Sequence, residues 1–362
     1  MMLDKSLDQN RSNSCRRRVL IVSVLSLISV LAFVYLLNSI RADGRAIESE
    51  QIESRIRRSI GIANGTLDEE KPQRRLPHAI IIGVKKGGTR ALLEYLRMHP
   101  SIRAPGPEVH FFDRHYHLGS DWYRRQMPPT AIGQVAIEKT PSYFVTKEAP
   151  ARLRDFDPSM KLIVVLRNPV TRALSDYAQN AAKRSSMLSF EQLAFTNATK
   201  LKNDCRFLPS TRPSSYCNRS SVAQSDLNSM VNTSWGAIKI GLYHRYVKRW
   251  LKYFDLERVH FVSGERLVTN PAQETNLVER FLDLKQSINN AHFVYPKSIN
   301  GSKPARFPCL RSKRGSSGPR CLGKTKGRRH PDVDGGLLRA LTDFYRPHNE
   351  LLFELIGRRF DW

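Results

Sequence analysis

The stretch from His78 to Leu96 constrains the fold of this chain more than any other. It begins with the apolar run Ala79-Ile-Ile-Ile-Gly-Val84, rich in β-branched residues, which reads as a strand buried on both faces. It closes with Arg90-Ala-Leu-Leu-Glu-Tyr-Leu96, where Leu92, Leu93 and Leu96 fall at helical spacing. Between them lies Lys85-Lys-Gly-Gly-Thr89. Glycine lets backbone approach a ligand closely, and a helix start offers free N–H groups to an anion. A strand, a basic glycine-rich turn and a helix form a phosphate cradle; an ordinary βα turn with surface lysines is the alternative. The order G-x-x-x-x-G-K-S/T is absent, because the lysines precede the glycines and no Ser or Thr follows a lysine to hold magnesium. An ATPase or GTPase is therefore a poor fit.

Lys161-Leu-Ile-Val-Val-Leu166 is the clearest strand. It ends in Arg167-Asn168-Pro169, and Val170–Gln179 begins a helix with Thr171 as its expected cap. Arg167, Arg172 and Ser175 fall at or just past the strand end. Ligands of open α/β sheets bind outside the carboxyl ends of the strands, so two such units describe one anion site. Ile238–Tyr253 resumes helical periodicity, with Leu242, Tyr246 and Leu251 facing the core. Val259–Val262 reads as a strand, Thr275–Leu282 as a helix after Asn270-Pro271, and Val333–Ile356 as a final amphipathic helical region.

Three other segments carry chemistry. In Ala104-Pro-Gly-Pro-Glu108-Val-His110-Phe-Phe-Asp113 the Pro/Gly cluster forces a loop. If the following residues are extended, Glu108 and His110 project to one side. A carboxylate held near the Phe111-Phe112 rings would have a raised pKa and serve as a general base; a surface turn over a buried Phe pair is the alternative. Ala136-Ile-Glu138-Lys139-Thr-Pro-Ser-Tyr-Phe144 is a short strand ending in a charged, hydroxyl-rich turn. Cys309 and Cys321 bracket an 11-residue loop of Lys, Arg, Ser and Gly, which has little to bury and which a disulfide would hold in shape. Lys324–His330 then offers a basic turn, with a solvated basic stretch as the alternative. No paired ligand spacing supports zinc.

Val19–Ile40 is 22 residues without a charge, long enough to span a bilayer. Arg16, Arg17 and Arg18 precede it, so the positive-inside rule places the N-terminus in the cytosol as a type II anchor. The run exceeds the apolar region of a usual signal peptide. Cys15 is a palmitoylation candidate or a plain free thiol. Asp43–Gln73 reads as a polar stem. Five N-x-S/T sequons, at Asn64, Asn197, Asn218, Asn232 and Asn300, all follow the anchor, consistent with a lumenal C-terminal part. The net charge of +26 calls for a polyanionic partner. Lumenal topology and the sequons disfavour nucleic acid, and an anionic membrane or a sulfated or phosphorylated polymer stays open. Asn180–Ser234 is a polar excursion carrying Cys205 and Cys217, which could form a local disulfide.

Taken together these motifs resemble the heparan sulfate glucosamine 3-O-sulfotransferases. The likeness rests on IIIGVKKGGTRALLEYL, the E-x-H-F-F-D of Glu108–Asp113, EKTPSYF at Glu138–Phe144, LIVVLRNPVTRALSDYAQ at Leu162–Gln179, and FPCL with CLGKTKGRRHP in Phe307–Pro331. It implies a single α/β sulfotransferase domain over 77–362 with a central parallel sheet and a P-loop-like turn, preceded by a cytoplasmic tail (1–18), a transmembrane signal-anchor (19–40) and a lumenal stem (41–76) in the Golgi membrane. The implied donor is 3′-phosphoadenosine 5′-phosphosulfate (PAPS), with no metal in the transfer step. By resemblance Lys86, Gly87, Gly88, Thr89 and Arg90 cradle its 5′-phosphosulfate. Arg167 and Ser175 hold the 3′-phosphate, and Lys326, Gly327, Arg328, Arg329 and His330 cover the nucleotide. Glu108 matches the catalytic base, with Lys86, His110 and Asp113 as catalytic companions. Lys85, Lys139, Gln179 and Trp235, with Glu108, His110 and Asp113, match substrate-contacting positions, and Cys309–Cys321 the family disulfide. Asn180–Ser234 is longer than the family pattern, with Cys205 and Cys217 additional. The region of the cysteine bracket is most similar to the subgroup acting on already 2-O-sulfated disaccharides. An N- or 6-O-sulfotransferase and a non-catalytic heparan-binding membrane protein are the competing readings.

Overall fold

The computed structural model describes residues 71–184, 186–202, 223–295, 307–311, 318–323 and 328–362. The apolar run 19–40, most of the stem, Cys15, Asn64, Cys205, Cys217, Asn218, Asn300, Lys326 and Gly327 lie outside these residues. Among the described residues no helix is long and apolar enough to cross a membrane.

In chain order the elements that build the site are strand β1 (Ala79–Gly83), helix α1 (Thr89–Leu96), strands β2 (Ile102–Arg103), β3 (Val135–Lys139) and β4 (Lys161–Leu166), helices α2 (Pro169–Ala181) and α3 (Tyr243–Trp250), strand β5 (Val259–Ser263), and helices α4 (Pro271–Phe281) and α5 (Gly335–Ile356). The strands form one parallel sheet in the order β2-β3-β1-β4-β5. After β1 the chain moves to one edge of the sheet, returns to β3, then crosses to the far side of β1 at β4. That reversal opens a crevice at the carboxyl end of β1, where such sheets bind ligands.

Alternation along the strands buries both faces, as the sequence predicts. Ile80, Ile82, Leu162, Val164 and Leu166 pack with Phe111, Phe112, Tyr143, Trp250 and Phe353 on one face. Ala79, Ile81, Ile163, Val165 and Val262 pack on the other with Leu92, Leu93 and Leu96 of α1 and Val278 of α4. A third cluster joins Val170 and Leu174 of α2 to Phe190, Leu227, Ile238, Leu341 and Phe344. The described ends of the polar excursion are thus tied to the domain by a core of their own.

Two local expectations are corrected. The cap of α2 is Asn168, not Thr171: its side-chain oxygen accepts from the amides of Val170 (2.9 Å) and Thr171 (3.2 Å). Pro169 follows at the first helical position, where its missing donor costs nothing. The helical stretch predicted over Ile238–Tyr253 is broken into Gly236–Lys239 and α3, and the Tyr345 hydroxyl donates to the Ile238 carbonyl at 2.7 Å. The Cys309–Cys321 disulfide is formed, and Cys309–Leu310 pairs antiparallel with Phe293–Val294.

Asn168→Ala removes the one acceptor shared by two helix amides and is expected to lower unfolding stability by about 1 kcal/mol, read as a lower urea midpoint with unchanged slope.

Candidate active site

The carboxyl ends of β1 and β4 open into a cleft of about 1020 Å³. Its floor is the Lys85–Gly88 turn, tightened by the Gly87 amide donating to the Val84 carbonyl at 2.9 Å. Lys86 is held at φ 70 and Gly88 at φ 123. No side chain larger than hydrogen fits at 87, because a Cβ there would lie 2.3 Å from the Val165 carbonyl oxygen. Helix α1 begins at Thr89 without a side-chain cap, leaving its first amides to whatever fills the cleft. Lys86, Gly88, Thr89 and Arg167 line this space. Ser175 of α2 joins them, and the segment after the disulfide adds Arg328, Arg329 and His330. Burial, with Arg167 and Lys86 close by, holds the His330 imidazole below its ordinary pKa. A narrow glycine turn ringed by cations fits a polyphosphorylated or sulfated anion.

The cations are held in place by local acceptors. Lys86 Nζ donates to Gln179 Oε1 at 2.8 Å, so one bond joins two residues expected to serve donor and acceptor. Lys85 Nζ is ion-paired with Asp176 at 2.9 Å. Arg172, which the sequence placed beside the anion site, is instead fully buried: it pairs with the same Asp176 at 3.2 Å and donates to the Ala237 carbonyl. Arg90 pairs with Glu94 at 2.8 Å and donates to the Gly106 carbonyl at 2.9 Å. It lines both this cleft and an adjoining pocket of about 650 Å³, where Glu94, Glu108, Lys139 and Arg320 are its neighbours.

Glu108 stands where the two spaces meet. One of its oxygens is bound by the Lys139 ammonium, and Oε2 lies 3.5 Å from His110 Nε2. His110 Nδ1 is 3.0 Å from Asp113 Oδ2, which also accepts from Ser142 Oγ at 2.6 Å. The segment is not extended at His110. That residue sits at φ 55, ψ 34 and leads into the π-helical turn Phe111–His115. The two phenylalanine rings turn into the core against Tyr123 and Phe156 and leave Glu108 41% exposed. They do not desolvate it. The desolvated carboxyl is Glu138, fully buried at the end of β3, where burial pushes its pKa up to about 7 against the opposing hydrogen bonds from Thr140 and Tyr123. Sequence reasoning saw a hydroxyl-rich turn here without its bonds.

Asp113 stands behind His110 as its orienting partner rather than on the cleft wall. Trp235 is absent from that wall too. Its ring packs on Phe190 (5.4 Å) and Tyr177 (6.3 Å), because the helical cluster buries its apolar area. Arg114, Ser142 and Lys183 line the cleft and were not foreseen. Their only signal was closeness in sequence to residues that were.

Residues 76–350 match the sulfotransferase domain family model. The crystal structure of a sulfotransferase from Alicyclobacillus acidocaldarius has the same fold, with TM-score 0.51 and 22% identity, covering 79% of this chain and 98% of that one. Fold and cleft therefore define a sulfotransferase domain. Heparan sulfate glucosamine 3-O-sulfotransferase 3A1 of Mus musculus is 50% identical over 296 residues, 82% of this chain and 66% of the mouse protein. Heparan sulfate glucosamine 3-O-sulfotransferase 6 of Homo sapiens is 48% identical over 290 residues, 80% of this chain and 75% of the human protein. The chain belongs to the heparan sulfate glucosamine 3-O-sulfotransferase family, and spans just under two thirds of the length of the mouse 3A1 relative.

Glu138 gives the fold a pH signature. An unfolded carboxyl ionises near 4.5 and this one near 7. Between those values the native state holds the extra proton, so this contribution to stability is full below pH 4.5 and falls as pH rises to about 7. Glu138→Gln should flatten that part of the stability–pH curve, measured by urea unfolding at pH 5, 6 and 7.5.

Proposed function

We propose that the chain transfers a sulfuryl group from PAPS to the 3-hydroxyl of glucosamine residues in heparan sulfate, with Glu108 as general base. The observation that carries this reading is the position of Glu108, a carboxylate clamped by Lys139 at the junction of a glycine-floored basic cleft and a second basic pocket. The activity for which its relatives are named points to the same chemistry. The bound donor supplies a sulfuryl group on a phosphate leaving group. Lys86, the Gly87–Arg90 backbone, Arg167, Ser175 and Arg328–His330 would hold it, and the family resemblance assigns Lys326 and Gly327 to the same role.

Within this reading Lys139 fixes one oxygen of Glu108, so the other receives the proton of the attacking hydroxyl. The new bond forms between that hydroxyl oxygen and sulfur as the sulfur–oxygen bond to phosphate breaks, its electron pair leaving with adenosine 3′,5′-bisphosphate. Lys86, at the turn, neutralises the charge that collects there. Asp113 fixes the His110 ring beside Glu108. Lys85, Lys139, Gln179 and the face near Trp235 receive the sulfated chain.

The full chain in detergent, given sulfur-labelled PAPS and heparan sulfate, should place label on the glucosamine 3-position. Glu108→Gln should lower the rate by at least about 100-fold. Lys86→Ala should weaken adenosine 3′,5′-bisphosphate binding by about tenfold in calorimetry, the loss of roughly one charge-assisted hydrogen bond. Label at another position would discard the regiochemistry. No label, with heparan sulfate still bound, would leave a binding protein.

We also propose a single-pass type II arrangement in the Golgi membrane, with 19–40 as anchor and the described domain lumenal. The uncharged run behind Arg16–Arg18 and the one-sided sequons support it. Asn197 is exposed at the start of a short helix, whereas the Asn232 side-chain amide donates to the Leu193 carbonyl at 3.0 Å. In intact vesicles an N-terminal epitope should be digested by added protease and a C-terminal one protected. Asn197→Gln should remove one glycan from the gel mobility. Digestion of the C-terminal epitope would overturn the topology.

A further inference from the structure

The loop that carries Glu108 and His110 is held by side chains rather than by sheet pairing. Two successive amides, those of His110 and Phe111, are each taken by a different residue of the Glu138–Phe144 turn. The His110 amide donates to Thr140 Oγ1 at 3.2 Å, and the Phe111 amide to the Tyr143 hydroxyl at 2.7 Å. The Thr140 hydroxyl in turn donates to Glu138, and the Tyr123 hydroxyl reaches the other Glu138 oxygen at 3.3 Å. Glu138 is therefore the terminal acceptor of the His110–Thr140 relay, in a site with no access to water.

This matters because His110 is a non-glycine residue at φ 55, a conformation that persists only when its surroundings determine it. The direction of its ring, and of the Glu108 side chain two residues earlier, follows from that backbone. The adjacent Lys139 leaves the same strand end to bind Glu108 directly. Strand β3 thus reaches the reacting carboxylate twice, through Lys139 by contact and through Glu138 by way of the backbone.

We propose that Glu138 is a positioning residue for the transfer reaction: with Thr140 and Tyr143 it fixes the 110–111 backbone and so aims Glu108 and His110. The proposal rests on Glu108 being the base. Replacing Glu138 leaves the donor cradle untouched, so its effect falls on turnover. Glu138→Gln retains an amide oxygen for the Thr140 hydroxyl and keeps most of the function.

The test uses the full chain in detergent with heparan sulfate as acceptor. Glu138→Ala should lower kcat by about 10- to 100-fold, the scale of a small misplacement of a reacting group. The KM for heparan sulfate and the Kd for adenosine 3′,5′-bisphosphate should stay within about threefold. Amide hydrogen exchange without donor should quicken at residues 110 and 111, and Glu138→Gln should recover most of the kcat. In a Glu108→Gln background, Glu138→Ala should cost less than about threefold more, since both changes act on one group. If Glu138→Ala does not fold, Thr140→Val, which breaks the same relay, takes its place: a loss confined to kcat supports the proposal. An unchanged kcat in a folded variant, or a full further loss in the Glu108→Gln background, overturns it. If Glu108→Gln alone keeps wild-type turnover, the base assignment fails, and the positioning role fails with it.

Discussion

The close stacking of the Lys85–Gly88 turn on two strand ends is the contact on which the rest of the site depends. A Cβ at 87 would meet the Val165 carbonyl oxygen at 2.3 Å, and one at 264 would meet the Gly87 carbonyl oxygen at 2.4 Å. The Gly264 amide donates to the Leu166 carbonyl at 2.7 Å, and the Val84 amide to Val165 at 3.1 Å. Turn, β4 and the end of β5 are locked together through backbone atoms alone. The parallel order then sets Lys86 and Thr89 beside Arg167, and brings Ser175 and Gln179 of α2 to the same opening.

Bringing so many cations to one opening has an electrostatic cost. Two like charges 4 Å apart near a protein surface repel by about 4 kcal/mol. The fold offsets this by giving several of them an acid. Asp176 takes Lys85 and Arg172, Glu94 takes Arg90, and Glu108 takes Lys139. Burial helps in a different way by disfavouring the charged form of His330. The Glu108–Lys139 pair serves twice, since it also fixes one carboxylate oxygen and leaves the other toward His110.

Much of the fold was legible because both faces of the strands are buried. Continuous apolar runs such as Ile80–Ile82 and Leu162–Leu166 have no plausible place outside a covered parallel sheet. The anion cleft was legible for a similar reason: lysines and glycines between a strand and a helix have local consequences. Arg172 was misplaced because a helix position says nothing of which buried acid awaits it. Trp235 packs into a hydrophobic cluster outside the lining of the cleft, since an aromatic ring serves such a cluster as well as a sugar. The cap of α2 could have been read from Asn168-Pro169, whose order favours Asn as cap and Pro at the first helical position.

By itself the sequence determined the strand–turn–helix units, the basic cleft, the disulfide bracket and the residue types gathered around Glu108. These follow from near-neighbour chemistry, where spacing along the chain is spacing in space. Only the tertiary structure decided that Glu108 stays half exposed while Glu138, thirty residues on, is the desolvated carboxyl. It also decided that His110 adopts a left-handed backbone held from another strand. The physical reason is that desolvation and hydrogen-bond satisfaction depend on everything packed around a group, and most of that packing comes from residues distant in sequence.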